Sequence, residues 1–374
     1  MKNKIERGAG CPGTLWHDEI EEHRIFVWRP DGYDDESVSL PVIYALDGQM
    51  LLEHPLEFST IGPKRFWNLD RIIFNLVAEG RIPPVMLVGI WNTGVTRHED
   101  YIPWTHERSR DFASFVTGRL IPYAEQQYGA AARREDRAMF GSSLGGLMSL
   151  YFLGEYSTVF STFAALSVHD PWLEGNASEL SPVNARLWLD TGTREYQSPR
   201  KYLQVAQALF GDECDDRLGS LYSYTCTARR IAAALKAAGW RSGTDLFYRE
   251  EKDGEHNETF WEGRAANAVL LFKGQDVPGK PERIELDCAC VRDRDCSIHY
   301  LMQAVVFWSG GLKTSLTDEA CWAMNGKGSI SADGRLTPEG EGPWTVSVSC
   351  CGLEAVMQFE LTDIEGLKAC LPVI

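Results

Sequence analysis

Over the first two thirds of the chain, short and largely apolar runs alternate with longer stretches in which apolar residues recur every three or four positions. The runs fall at residues 24–28, 42–46, 85–90, 137–140, 162–166, 186–189 and 246–248. Those at 42–46, 85–90 and 162–166 have no polar face to show to water, so they read as strands covered on both sides, as in a mostly parallel sheet. Residues 69–78, 112–128, 144–153, 202–210 and 228–238 carry the helical spacing that supplies the cover. Strand and helix in alternation predict an α/β fold. Residues 212–220, with their Gly and Asp content, read as a loop or insertion.

Residues 272–281 gather Pro, Gly and charge directly after an apolar helical stretch, and the period changes beyond them. Ile284, Leu286, Cys288 and Cys290 share one parity, as do Val346, Val348 and Cys350, which is the alternation of half-buried antiparallel strands. The pattern therefore predicts an α/β domain over 1–275 and a small β-sandwich over 282–374.

At 374 residues the chain has room for both, and 44% hydrophobic with 24% charged residues is the composition of a globular protein. No apolar run approaches the roughly 18 residues that suggest a membrane span. A formal net charge of −16 opposes binding to nucleic-acid phosphates or anionic lipid, so neither nucleic acid nor membrane is an expected partner. Residues 1–10 begin with positive charge but have no apolar stretch behind it, so a cytoplasmic protein is expected. The ten cysteines lack regular spacing, which favours reduced thiols over a disulfide framework. Cys288, Cys290, Cys296 and His299 are ligand types within a small region. Cysteines sharing one strand face pack more often as small hydrophobes, so no metal and no cofactor are expected.

The most informative segment is Gly141-Ser142-Ser143-Leu144-Gly145, between the predicted strand at 137–140 and the predicted helix at 144–153. A Ser flanked two residues away by Gly, at a sharp strand-to-helix turn, is a nucleophile elbow, and Ser143 is the candidate nucleophile. A serine hydroxyl is a poor nucleophile near neutral pH, so it needs a base and a group to orient that base. His256, in the loop after the strand at 246–248, has the chain position of the base; His169 is the alternative. For the orienting acid, Glu195 beyond the Gly192 turn is preferred over Asp190 at the strand end. The oxyanion donors are expected to be the backbone amides of Leu144 and Gln49, the latter in the turn after strand 42–46. Trp91, Trp104, Trp172 and Trp261 all follow predicted strands, where an α/β sheet opens its crevice, and are candidate substrate contacts.

With these residues assembled, the chain resembles the putative esterase family of α/β-hydrolases, which includes enterochelin, feruloyl and acetyl-xylan esterases. Tyr44-Ala45-Leu46-Asp47-Gly48-Gln49, residues 84–90, residues 97–104, Gly141 to Gly146 and Gly254-Glu255-His256-Asn257 carry the likeness, in order, over about residues 20 to 273. The resemblance implies an α/β-hydrolase fold and a serine carboxylic-ester hydrolase with Ser143 as nucleophile, His256 as base and Glu195 as acid. It also implies a small-molecule or carbohydrate ester as substrate, acetyl, feruloyl or siderophore-type. Acyl transfer on the same scaffold, or a non-catalytic carbohydrate-binding role, are the alternatives. Arg97 belongs to a loop that covers the site in relatives; pairing with Glu99 or Asp100 is expected slightly ahead of contact with a substrate oxygen. Residues 281 to about 362 resemble a bacterial immunoglobulin-like domain, carried by 307–311, 316–322 and 331–337. Oligomeric state is not fixed by the sequence.

Overall fold

The computed structural model describes residues 3–6, 10–53, 65–168, 171–197, 222–293, 295, 297–369 and 371. Its strands begin with β1 (Asn3–Ile5), β2 (Thr14–Ile20), β3 (His23–Arg29), β4 (Val42–Leu46), β5 (Met86–Ile90), β6 (Arg137–Ser142), β7 (Thr162–Leu166) and β8 (Arg186–Gly192). The short β9 (Tyr196–Gln197) and β10 (Tyr222–Ser223) pair with each other, and β11 (Leu246–Glu251) follows. Together β1 to β8 and β11 form one nine-stranded mixed sheet in the order β1-β2-β3-β5-β4-β6-β7-β8-β11. The first strands are antiparallel, and β5, β4, β6 and β7 are mutually parallel. This is the α/β-hydrolase fold. Every residue of β4, β5 and β7 is buried, which is why those strands are almost wholly apolar, Thr162 at the start of β7 being the polar exception.

The helix expected at 69–78 is Leu69–Ala78. The one expected at 112–128 begins earlier, at Glu107, and runs through a widened turn at Val116–Leu120 into Ile121–Tyr128. Pro122 accounts for the widening: it has no amide to donate, and its ring would crowd a carbonyl one turn back. Two strands extend further than their apolar runs. β8 continues through Asp190, Thr191 and Gly192, and β11 through Arg249, Glu250 and Glu251. The helix expected at 202–210, the loop at 212–220 and His169 lie outside the described residues.

The C-terminal strands are β12 (Pro281–Arg292), β13 (Ile298–Trp308), β14 (Lys313–Ser315), β15 (Cys321–Asn325), β16 (Gly328–Ile330), β17 (Arg335–Pro338), β18 (Trp344–Cys350) and β19 (Leu353–Phe359). They form antiparallel sheets: β12-β13-β17-β16 with β14 on β13, and β15-β18-β19. Met302, Ala304, Val306, Trp344, Val346 and Val348 meet in a common core with Ile284, Leu286 and Cys288. The alternation expected for β12 holds on that face only. Ala289 and Val291 are buried as well, against Leu301 and Cys226 of helix Tyr224–Ala237, so the end of β12 is covered on both sides. No described helix is long and apolar enough to cross a membrane.

The chain divides into two compact units. One comprises Met1–Val168, Leu180–Trp188 and Asn257–Gln275; the other comprises His169–Glu179, Leu189–His256 and Asp276–Ile374. The elements bearing Glu195 and His256 thus belong to the same unit as the C-terminal sheets.

Candidate active site

Ser143 stands between the end of β6 and helix Leu144–Tyr156 with φ 55° and ψ −124°. A serine rarely adopts this left-handed conformation, and it persists only where its surroundings impose it. They do so on both sides: the Ser143 amide donates to the Leu166 carbonyl at 2.9 Å, and the Ser143 carbonyl accepts from Leu147 at 3.1 Å. Gly141 makes the turn possible, since a Cβ there would lie 2.2 Å from the Gly145 carbonyl oxygen. The side chain is left half-exposed at the head of a helix whose first-turn amides, Leu144 leading, have no acceptor within the helix. Strand, strained turn and helix N-terminus present a hydroxyl beside backbone donors.

Beneath the elbow is a brace that the sequence did not suggest. Asp47 is 5% exposed and has φ 59°. Its carboxylate accepts from Arg97 Nε at 2.6 Å, Arg97 Nη2 at 2.7 Å and Asn92 Nδ2 at 2.6 Å. Arg97 Nη2 also donates to the Ser142 carbonyl at 3.3 Å, and the guanidinium lies over the Tyr101 ring. Arg97 therefore pairs with neither Glu99 nor Asp100; Asp100 accepts instead from Arg108 at 2.6 Å and from Thr93. The helix Arg97–Tyr101 turns the arginine toward a strand-end carboxylate fifty residues earlier, a partner that no local spacing reveals. Arg97→Met is expected to destabilise the protein by roughly 3 kcal/mol, because it leaves a buried carboxylate without its cation. Thermal melting checks this, and an unchanged melting temperature would contradict it.

In the other unit, two loops bring Glu195 and His256 together. After β8, the turn Gly192-Thr193-Arg194-Glu195 buries Glu195 completely. Glu195 Oε1 accepts the Gly192 amide at 2.8 Å, and Oε2 lies 3.1 Å from His256 Nδ1. After β11, the loop carrying His256 is zipped to that turn. The Thr193 amide donates to the Glu251 carbonyl at 2.9 Å, the Arg194 amide to the Gly254 carbonyl at 2.9 Å, and the Asp253 amide to Thr193 Oγ1 at 2.8 Å. Tyr224 completes the enclosure, donating its amide to the Glu195 carbonyl at 2.9 Å and setting its ring edge-on to His256 at 4.9 Å. With a carboxylate on Nδ1 the imidazole keeps its proton there, and Nε2 retains the lone pair that a general base needs.

Gly192 and Gly254 let the two loops touch. A Cβ on Gly192 would lie 2.3 Å from the Gly254 carbonyl oxygen, a backbone atom that cannot give way as a side chain could. Gly192→Ala is expected to cost about 3 kcal/mol of stability. It should also lower kcat by about tenfold or more, by parting acid from base. Steady-state kinetics alongside a melt would show it; wild-type values in both would refute the packing argument.

Residues 20–272 match the protein family described as "Putative esterase". The chain belongs to that family. Among curated proteins it is similar to the uncharacterized protein YbbA of Bacillus subtilis strain 168, 26% identical over 221 residues that cover 53% of this chain and 82% of YbbA. Among solved structures it is similar to the siderophore hydrolase EstA from Aspergillus nidulans, with 17% identity and a TM-score of 0.47, covering 72% of this chain and 96% of that one. It is also similar to the enterobactin esterase FES from Shigella flexneri, with 18% identity and a TM-score of 0.49, covering 71% of this chain and 60% of FES.

The other residues singled out in this family member lie as follows. The Gln49 side chain is engaged, its Oε1 accepting the Asn92 amide at 3.2 Å, and Gln49 itself sits in the turn Gly48–Met50. Trp261 is 7% exposed; its Nε1 donates to Ser167 Oγ at 2.7 Å, and its ring packs 5.8 Å from that of Trp67. Trp91 and Trp104 are half-buried, Trp91 edge-on to His17. The side chain of Trp172 lies outside the described residues, as does Cys296. Burial pushes the Cys288 thiol up to about 12. Among the described residues, Asp293, Asp295 and His299 form one cluster of metal-ligand types. Cations already hold it: Arg230 lies 2.7 Å from Asp293, and Arg335 Nη1 lies 3.1 Å from His299 Nδ1.

Proposed function

We propose that this protein is a serine carboxylic-ester hydrolase that works through an acyl-enzyme. In this reading Ser143 Oγ attacks the ester carbonyl while His256 Nε2 takes its proton, and ionised Glu195 stabilises the imidazolium that results. The carbonyl oxygen becomes an oxyanion held by the Leu144 and Gln49 amides. The imidazolium then protonates the departing alcohol, and a water activated by the same imidazole releases the acid. The observation that carries the proposal is the backbone of Ser143, left-handed and strained at the head of a helix, where no structural need calls for a serine. Acetyl and feruloyl esters of carbohydrates and siderophore-type esters are the substrates to test first, and residues 282–374 are assigned as an immunoglobulin-like domain.

Pre-steady-state hydrolysis of p-nitrophenyl acetate tests the acyl-enzyme. The expected result is a burst of nitrophenolate equal to the enzyme present, with an acetyl adduct mapped to the Ser143 peptide. Steady turnover through an adduct elsewhere on the chain would contradict it.

A further inference from the structure

Helix Tyr224–Ala237 begins at the acid–base pair, and near its other end Lys236 pairs with Asp318 and Glu319, between β14 and β15. Its first residue contacts Glu195 and His256, and Thr225 Oγ1, one residue on, donates to the Gly192 carbonyl at 3.4 Å. Further along lies Arg229, whose Nε and Nη2 donate to the two carboxylate oxygens of Glu250 at 2.6 and 2.8 Å. The same guanidinium reaches into the C-terminal strands: Nη2 donates to the Met302 carbonyl and Nη1 to the Asp333 carbonyl, each at 2.8 Å. Glu250 is fully buried, accepts from Tyr248 Oη at 2.9 Å, and donates its own amide to Ser315 Oγ of β14 at 2.9 Å. The next residue, Glu251, offers the carbonyl that holds both Thr193 and Gly254. One side chain therefore joins the helix behind the acid, the strand leading to the base, and the C-terminal sheet.

We propose that Arg229 is a positioning residue through which the C-terminal sheets fix the Glu195–His256 pair, so that those sheets are part of the catalytic apparatus rather than an appended module. This rests on the esterase reading. A planar fork can hold a carboxylate with one edge and two carbonyls with the other; an ammonium on a flexible stem can neutralise Glu250 but cannot span all three. Neutralisation and positioning are thereby separable.

The test uses full-length Arg229→Lys and, independently, Ser315→Ala, each first shown to be folded by circular dichroism. Positioning predicts a kcat lowered about 10- to 100-fold in Arg229→Lys and less in Ser315→Ala, with KM within about twofold of wild type. It also predicts a broadened or lost His256 Nδ1 proton resonance by NMR. Wild-type kcat and an intact resonance in both folded variants, with only the melting temperature reduced, would overturn the proposal. If Arg229→Lys does not fold, Ser315→Ala decides by the same readings. If the wild-type protein turns over no ester, the esterase reading fails, and the His256 resonance alone decides whether Arg229 positions the pair.

Discussion

Ser143→Ala is expected to lower kcat/KM for p-nitrophenyl acetate by about 10⁴-fold or more, leaving the residual rate that backbone donors and binding supply by themselves. In the proposed mechanism the hydroxyl is the atom that forms the bond, and no other described group has its position between β6 and the head of helix Leu144–Tyr156. The fold should not suffer. Alanine at φ 55° is strained much as serine is, and the amide and carbonyl bonds to Leu166 and Leu147 are backbone. Glycine at the same position separates the two roles further, because it adopts a positive φ without steric penalty. Ser143→Gly should be as inactive as the alanine variant yet more stable by about 1 kcal/mol, the strain energy the native serine holds. Activity assays with thermal melts test both; a Ser143→Gly variant less stable than wild type would contradict the strain argument.

Glu195→Gln is expected to lower kcat by about 10³- to 10⁴-fold with little change in melting temperature, since the substitution keeps the shape of a fully buried side chain. The direction follows from hydrogen-bond polarity. The Gly192 amide needs an acceptor, so the glutamine must turn its oxygen toward Gly192 and its NH₂ toward His256 Nδ1. Nδ1 then becomes the acceptor, the ring proton moves to Nε2, and the imidazole presents a donor where a base is required. The opposite flip gives His256 its acceptor but sets the NH₂ against the Gly192 amide, leaving a buried donor unsatisfied. Steady-state kinetics and the tautomer read from imidazole nitrogen shifts check this. Wild-type turnover in the variant would mean that serine and histidine suffice.

The parts of this molecule that were readable in the sequence are those with local signals. Residues 42–46 and 163–166 are apolar because both faces of those strands are covered, and the elbow announces itself through glycines that close packing demands. The ends of β8 and β11 were not readable by that rule. Asp190, Thr191 and Glu250 are completely buried, and polar residues are tolerated there because neighbours distant in sequence satisfy them, as Arg229 and Ser315 do for Glu250. Arg97 shows the same limit: its charge predicted a pairing, but its partner is set by the turn after β4 and not by helical spacing. Position after a strand does not fix which way a tryptophan turns: Trp261 Nε1 is directed to Ser167 Oγ.

Treatment of the native protein with a fluorophosphonate probe, read by intact mass and peptide mapping, tests the esterase assignment most directly, because the reagent reacts with a serine only where a base and oxyanion donors already activate it. One adduct per chain is predicted, on the peptide containing Ser143, absent in Ser143→Ala and strongly slowed in His256→Ala. Labelling of another residue at the same rate in all three proteins would contradict it.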